Sequence, residues 1–129
     1  MAFDPGRWFL TMTDFRVHVS KFPGRCVVTL VGELDFDTCP QVTQATDVMI
    51  MRGRTVSLDL AGVSFMDASG LGLLQCLRRR AGAEDGVLEL CGLQAQPQRV
   101  LDLTGTRTHF RIVTAPGAAA RLAAYPAAM

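Results

Sequence analysis

At 129 residues the chain fits one domain, and its 49% hydrophobic content can form a core without disulfides or metal. Thirteen Lys and Arg against 12 Asp and Glu give a formal net charge of +1, so the electrostatic footprint of a nucleic-acid or anionic-membrane binder is missing. Cys26, Cys39, Cys76 and Cys91 include no C-x-x-C pair, and three of them lie in apolar periodic segments, as expected of small core residues in a reducing compartment.

Residues 1–13 read as an N-terminal extension. Asp4, Pro5 and Gly6 stand where a signal peptide needs a continuous apolar stretch, and no run approaches a membrane span, so a cytoplasmic location is expected. Trp8, Phe9, Leu10 and Met12 are too apolar to be left in water. They need cover from the domain or from a second copy, which leaves self-association open.

"FRVHVS" at 15–20 alternates Phe15, Val17 and Val19 with Arg16, His18 and Ser20, the period of a half-buried strand. "FPG" turns the chain, and "CVVTLVG" at 26–32 reads as a strand covered on both faces. The short connection predicts an antiparallel hairpin. Pro40 opens a helix over 40–51 on the spacing of Val42, Ala45, Val48 and Met49, and Gly53 ends it. "RTVSLDL" at 54–60 is a third strand. A helix follows Ser69, with Leu71, Leu74, Leu77 and Ala81 on one stripe and Gly82 and Gly86 available to stop it. Arg78, Arg79 and Arg80 fall near its end, where cations complement the macrodipole and a solvated position is expected.

"GVLELCG" at 86–92 is a fourth strand. Pro97 opens a short helix through Thr104 that Gly105 closes in the left-handed conformation, and "HFRIV" at 109–113 is a fifth strand. The Ala-rich segment 116–124 can form a last helix before the tail 125–129. The expected fold class is therefore α/β: one domain over 14–124, with a mixed, mostly parallel five-stranded sheet that begins with an antiparallel hairpin, and about four helices on right-handed crossovers.

The chemistry concentrates at "FMDASGLG", where Ser69 stands at a strand-to-helix junction. A nucleophile elbow needs G-x-S-x-G, and Asp67 and Leu71 occupy both glycine positions. The chain's two histidines, His18 and His109, read as strand or surface residues rather than as a base for the serine. A phosphate-binding loop needs a lysine, and Lys21 in the first hairpin is the chain's single one. Gly70 and Gly72 make half of a dinucleotide fingerprint, with Gln75 where its third glycine belongs. No metal-ligand spacing is present, and no cofactor is expected. Asp67 or Ser69 can cap the helix. Capping does not account for a hydroxyl offered beside glycines that strip bulk from the helix start. A kinase would find there an accessible serine, and phosphate on it could abolish docking on an apolar face.

Three motifs in order, "GELD" at 32–35, "SFMDASGLGLL" at 64–74, and "VLDLTG" followed by "HFRIV" between Val100 and Val113, make the chain resemble the STAS-domain anti-sigma factor antagonists over residues 14–124. The resemblance implies a regulatory protein and not an enzyme. It implies that the unphosphorylated form binds an anti-sigma factor with serine kinase activity, and that phosphorylation of Ser69 switches it off. A metal-dependent serine phosphatase would restore it, and sigma-factor-dependent transcription would follow. Asp35, Asp67, Ala68, Ser69, Gly70 and Leu71 are the partner-binding positions so implied. Ala68 replaces the first serine of the family's D-S-S-G-L-G, leaving Ser69 as the sole hydroxyl of the motif. For Glu33 a solvated loop position is expected, and for Asp35 and Asp37 either capping or docking. The resemblance also allows a ligand-sensing or scaffolding module in a signalling assembly.

Overall fold

A computed structural model describes residues 14–113 of the chain. Strands β1 (Arg16–Phe22) and β2 (Arg25–Leu34) are followed by helix α1 (Cys39–Asp47), strand β3 (Thr55–Met66) and helix α2 (Ala68–Ala83). Strand β4 (Val87–Cys91), helix α3 (Ala95–Thr104), a 3-10 turn at Arg107–His109 and strand β5 (Arg111–Val113) complete them. The sheet order is β1-β2-β3-β4-β5, with β1 antiparallel to β2 and every later pair parallel. This is the α/β class expected, with three helices and a 3-10 turn among the described residues. The expected helix over 116–124, the extension 1–13 and the tail 125–129 lie outside them.

Because the strand order never reverses, right-handed crossovers carry each helix to the same face of the sheet. The core agrees: Val28 and Leu30, Val56, Leu58 and Leu60, and Leu88 and Leu90 form one cluster with Val42 of α1, Leu74, Leu77 and Ala81 of α2, and Leu101 of α3. The alternate residues face the other way, and there a polar row crosses the strands, buried at Ser57 and Glu89. The Glu89 carboxylate accepts from Ser57 Oγ at 2.6 Å and from Arg25 at 2.9 Å, with Arg111 3.7 Å away. Burial opposes ionisation of Glu89, but these hydrogen bonds and the charges of Arg25 and Arg111 outweigh it and hold the carboxyl below its ordinary value.

Several boundaries and positions differ from the sequence reading: β2 runs on to Leu34, and β5 begins at Arg111 because His109 closes the 3-10 turn. Helix α1 ends at Asp47 and not at 51: Met49 and Met51 are buried while Val48 and Ile50 face out, a period of two that only extended chain produces. Arg80 explains the stop. Its guanidinium donates to the Thr46 and Met49 carbonyls, 2.6 Å each, and to Glu84 at 3.1 Å, so the helix-end acceptors find their partner on α2. Arg80 is thus a tie between helices rather than a solvated helix end. Strand β3 continues past Leu60 to Met66, because two one-residue shifts in its register with β2 accommodate the residues after Leu60. Cys76 is exposed on α2, whereas Cys26 and Cys91 are buried and Cys39 is half-buried.

Candidate functional site

Ser69 sits in the first turn of α2, which springs directly from the end of β3. Asp67, in extended conformation, is the N-cap: its Oδ1 accepts from Ser69 N at 2.9 Å and Gly70 N at 3.1 Å, and its carbonyl accepts from Leu71 N at 3.1 Å. Of the two expected cap residues the structure uses Asp67. Among the described residues no protein group hydrogen-bonds the Ser69 hydroxyl, and Ser69 is half-buried with exposed Ala68 before it and exposed Gly72 after Leu71.

The start of α2 is pressed onto the end of β2. Asp67 N donates to the Leu34 carbonyl at 3.2 Å, and Gly70 lies against the same carbonyl. A Cβ at Gly70 would come within 2.7 Å of Leu34 O and 2.6 Å of Met66 Cγ, which real contacts do not reach. Gly70 is buried, and its lack of a side chain is what lets the helix start sit against Leu34 and Met66. Around Gly72, by contrast, an added Cβ would meet nothing within 4 Å. Leu71 is half-buried and packs on the core.

Leu34 also ends β2 and leads into the turn of Asp35, so Glu33 stands within the strand, paired with Phe65, and not in the loop expected for it. Asp35 Oδ1 accepts from Asp37 N and Thr38 N at 3.0 Å each, while buried Thr38 returns the bond: its Oγ1 accepts from Asp35 N at 2.9 Å and donates to the Glu33 carbonyl at 2.7 Å. Asp35 therefore holds the turn before α1, whose N-cap Thr38 makes no side-chain cap bond, while Glu33 and Asp37 are exposed. These acids, with Asp14, Gly32, Thr38 and Ser64, line an open depression of about 440 Å³. Gly32, at φ 121°, lets Phe15 and Asp14 close against it: a Cβ there would meet Phe15 Cδ1 at 2.9 Å. Cys39, at the start of α1, registers how close the two acidic turns are. Burial, then the carboxylates of Asp67 and Asp35, push its thiol up to about 11.

Sequence reasoning missed one positioning residue. The side-chain amide of Gln96 on α3 pairs with both backbone groups of Met66, accepting from its N at 2.8 Å and donating to its carbonyl at 3.1 Å, and so fixes the residue before Asp67. A glutamine in "AQPQ" carries no local signal of that task.

The two histidines make their contacts elsewhere. His18 is exposed on β1 with its Nδ1 3.4 Å from Ser20 Oγ, and His109 in the 3-10 turn has Nδ1 3.0 Å from Gln75 Nε2, so neither is hydrogen-bonded to Ser69. Among the described residues no group of three or more His, Cys, Asp or Glu side chains is placed to hold a metal ion, and no helix is long and apolar enough to cross a membrane.

Comparison with known proteins adds to this geometry. A family model described as the STAS domain matches residues 16–119. An anti-sigma-B factor antagonist of Staphylococcus epidermidis is 33% identical over 81 residues, which span 62% of this chain and 75% of that protein. The crystal structure of an anti-sigma factor antagonist from Mycobacterium paratuberculosis superposes with a TM-score of 0.71 at 26% identity, covering 85% of this chain and 92% of that one. The phosphorylated form of the Bacillus cell fate determinant SpoIIAA superposes with a TM-score of 0.60 at 25% identity, covering 84% and 98%.

Proposed function

The chain belongs to the STAS domain family, and from that premise we propose that it is an anti-sigma factor antagonist switched by phosphorylation at Ser69. In this reading the unphosphorylated chain binds an anti-sigma factor that is also a serine kinase, in the cytoplasm, through a domain spanning residues 14–124. Phosphate on Ser69 breaks the complex, and a metal-dependent serine phosphatase restores it. The chain is a regulatory acceptor of chemistry and not an enzyme.

The observation that carries the reading is the state of Ser69: its backbone is locked by Asp67 while its hydroxyl, in a half-exposed first turn between Ala68 and Gly72, is left without a base or another protein partner among the described residues. Its closest charged neighbour in sequence is the acid that caps the helix. Phosphate would add about −1.5 to −2 charges at a helix N-terminus, which the helix dipole favours and Asp67 opposes. The Asp67 carboxylate already holds the Ser69 and Gly70 N–H groups, so the new charge is not absorbed locally and faces an approaching protein. The antagonist relatives, and the Bacillus homologue captured in phosphorylated form, support the same reading.

Binding measurements with a purified serine-kinase anti-sigma factor test it. Wild type is expected to bind and to be released once ATP is supplied. Ser69→Ala is expected to bind and stay bound with ATP. Ser69→Asp is expected to weaken binding less than phosphate does, having less charge. If Ser69→Asp binds every partner as wild type does, or the purified chain retains a small ligand and binds no such kinase, the sensing or scaffolding role is the better description.

A further inference from the structure

Two large apolar side chains at this end of the molecule reach solvent, Phe65 of β3 at 40% exposure and, more fully, Phe36 on the turn after β2. Phe36 is 76% exposed, although its neighbours Asp35 and Thr38 are joined by reciprocal hydrogen bonds and Thr38 is buried. The turn is fixed at its base as well. Leu34, two residues earlier, is fully buried and its carbonyl takes the Asp67 N–H beneath Ser69. Phe36 and Ser69 therefore ride on one rigid platform, and ordering the turn on binding costs little. An aromatic ring with few rotamers on a preformed support has the properties of an interface hot spot.

The surroundings state what the partner must offer. Glu33, Asp37 and Asp14 lie at the depression beside the turn, together with Asp35. An exposed ring flanked in the chain by Asp35 and Asp37, beside that acidic depression, fits an apolar pocket edged by Arg or Lys and is rejected by an acidic surface. We propose that Phe36 is the anchor by which this chain docks on its anti-sigma factor, entering an apolar pocket rimmed by basic side chains next to the site where Ser69 is presented. The inference rests on the antagonist reading and names the side chain that gives it affinity and specificity.

The test uses the full chain and the purified serine-kinase anti-sigma factor, with affinity and the rate of Ser69 phosphorylation measured together. Phe36→Ala is expected to weaken binding at least about thirtyfold, the size of a hot-spot loss, and to raise the KM for phosphorylation while leaving the kinase's turnover number unchanged. Phe36→Leu should recover part of the affinity. Its thermal melt should match wild type, because the ring contributes little to the core. Val48→Ala serves as the control: Val48 is as exposed, at 78%, but lies at the far end of α1, and its loss should leave both readouts unchanged. If wild type binds and Phe36→Ala binds within twofold of it, the anchor is elsewhere and this inference falls. If wild type itself binds no such kinase, the antagonist reading has failed instead.

Discussion

Gly70 and Gly72 stand two residues apart in the first turn of one helix, and the molecule uses them in opposite ways. Gly70 is pressed between Leu34 O and Met66 Cγ with no room for a methyl group, whereas a methyl at Gly72 would touch nothing. The inner side of the turn is where the fold is made: the Asp67 cap, the Leu34 carbonyl and the Gln96 amide all converge there. The outer side, with Ala68, Ser69 and Gly72, is cleared. One glycine is thus required by packing within the chain, and nothing among the described residues requires the other.

Substitutions can break that division. The largest effect belongs to Gly70→Ala, expected to lower stability by about 1–3 kcal/mol or more by overpacking, as read from urea unfolding. A change indistinguishable from wild type would mean that the helix start is not seated as described. Next, Asp67→Ala should cost about 0.5–2 kcal/mol through loss of the cap, with Asp67→Ser recovering much of it. Gly72→Ala should do the reverse in stability, gaining up to about 1 kcal/mol from helix propensity, yet slow phosphorylation and weaken docking. A variant that is stabler and equally active would remove the reason given for that empty surface.

Acid sensitivity provides a comparison away from both sides of the turn. Glu89 has a folded-state pKa below its ordinary 4.5, so its stabilisation is present above that value and is lost as pH falls through the folded pKa, where the unfolded chain binds the extra proton. The stability gap between wild type and Glu89→Gln should narrow as pH drops below about 4.5, measured by unfolding across that range. A gap independent of pH would mean that the Arg25 and Ser57 contacts do not hold the charge. The smallest effect concerns the thiols. Cys76 is exposed and should be alkylated first, while Cys39, with its thiol raised to about 11, should lag even though it is only half-buried.

Much of the architecture was legible because it is written in local periods. The hairpin followed from alternation around "FPG", the parallel strands from apolar runs, and the α3 stop from Gly105, whose φ is 71°. What escaped depends on distant partners. The end of α1 is decided by Arg80, more than thirty residues later, reaching two carbonyls, and no spacing within α1 announces it. The apolar run that marks the third strand stops at Leu60, yet β2 supplies a ladder that carries β3 on to Met66 with two extra residues. At the site, the Asp67 cap could be read from its place before the helix, and Asp35 as a cap or a docking acid. The task of Gln96 could not be read, since a side-chain amide bonded to a remote backbone leaves no pattern. The two glycines were alike in the sequence, and only the packing around Leu34 and Met66 separates them.

The most direct measurement follows one sample of the chain with its serine-kinase anti-sigma factor and ATP, recording by intact-mass spectrometry the fraction phosphorylated and by native binding the fraction still in complex. One phosphate is expected, mapped to Ser69, with complex lost in proportion to its appearance and neither change in Ser69→Ala. Phosphate on another residue, or full phosphorylation of Ser69 with the complex intact, would contradict it.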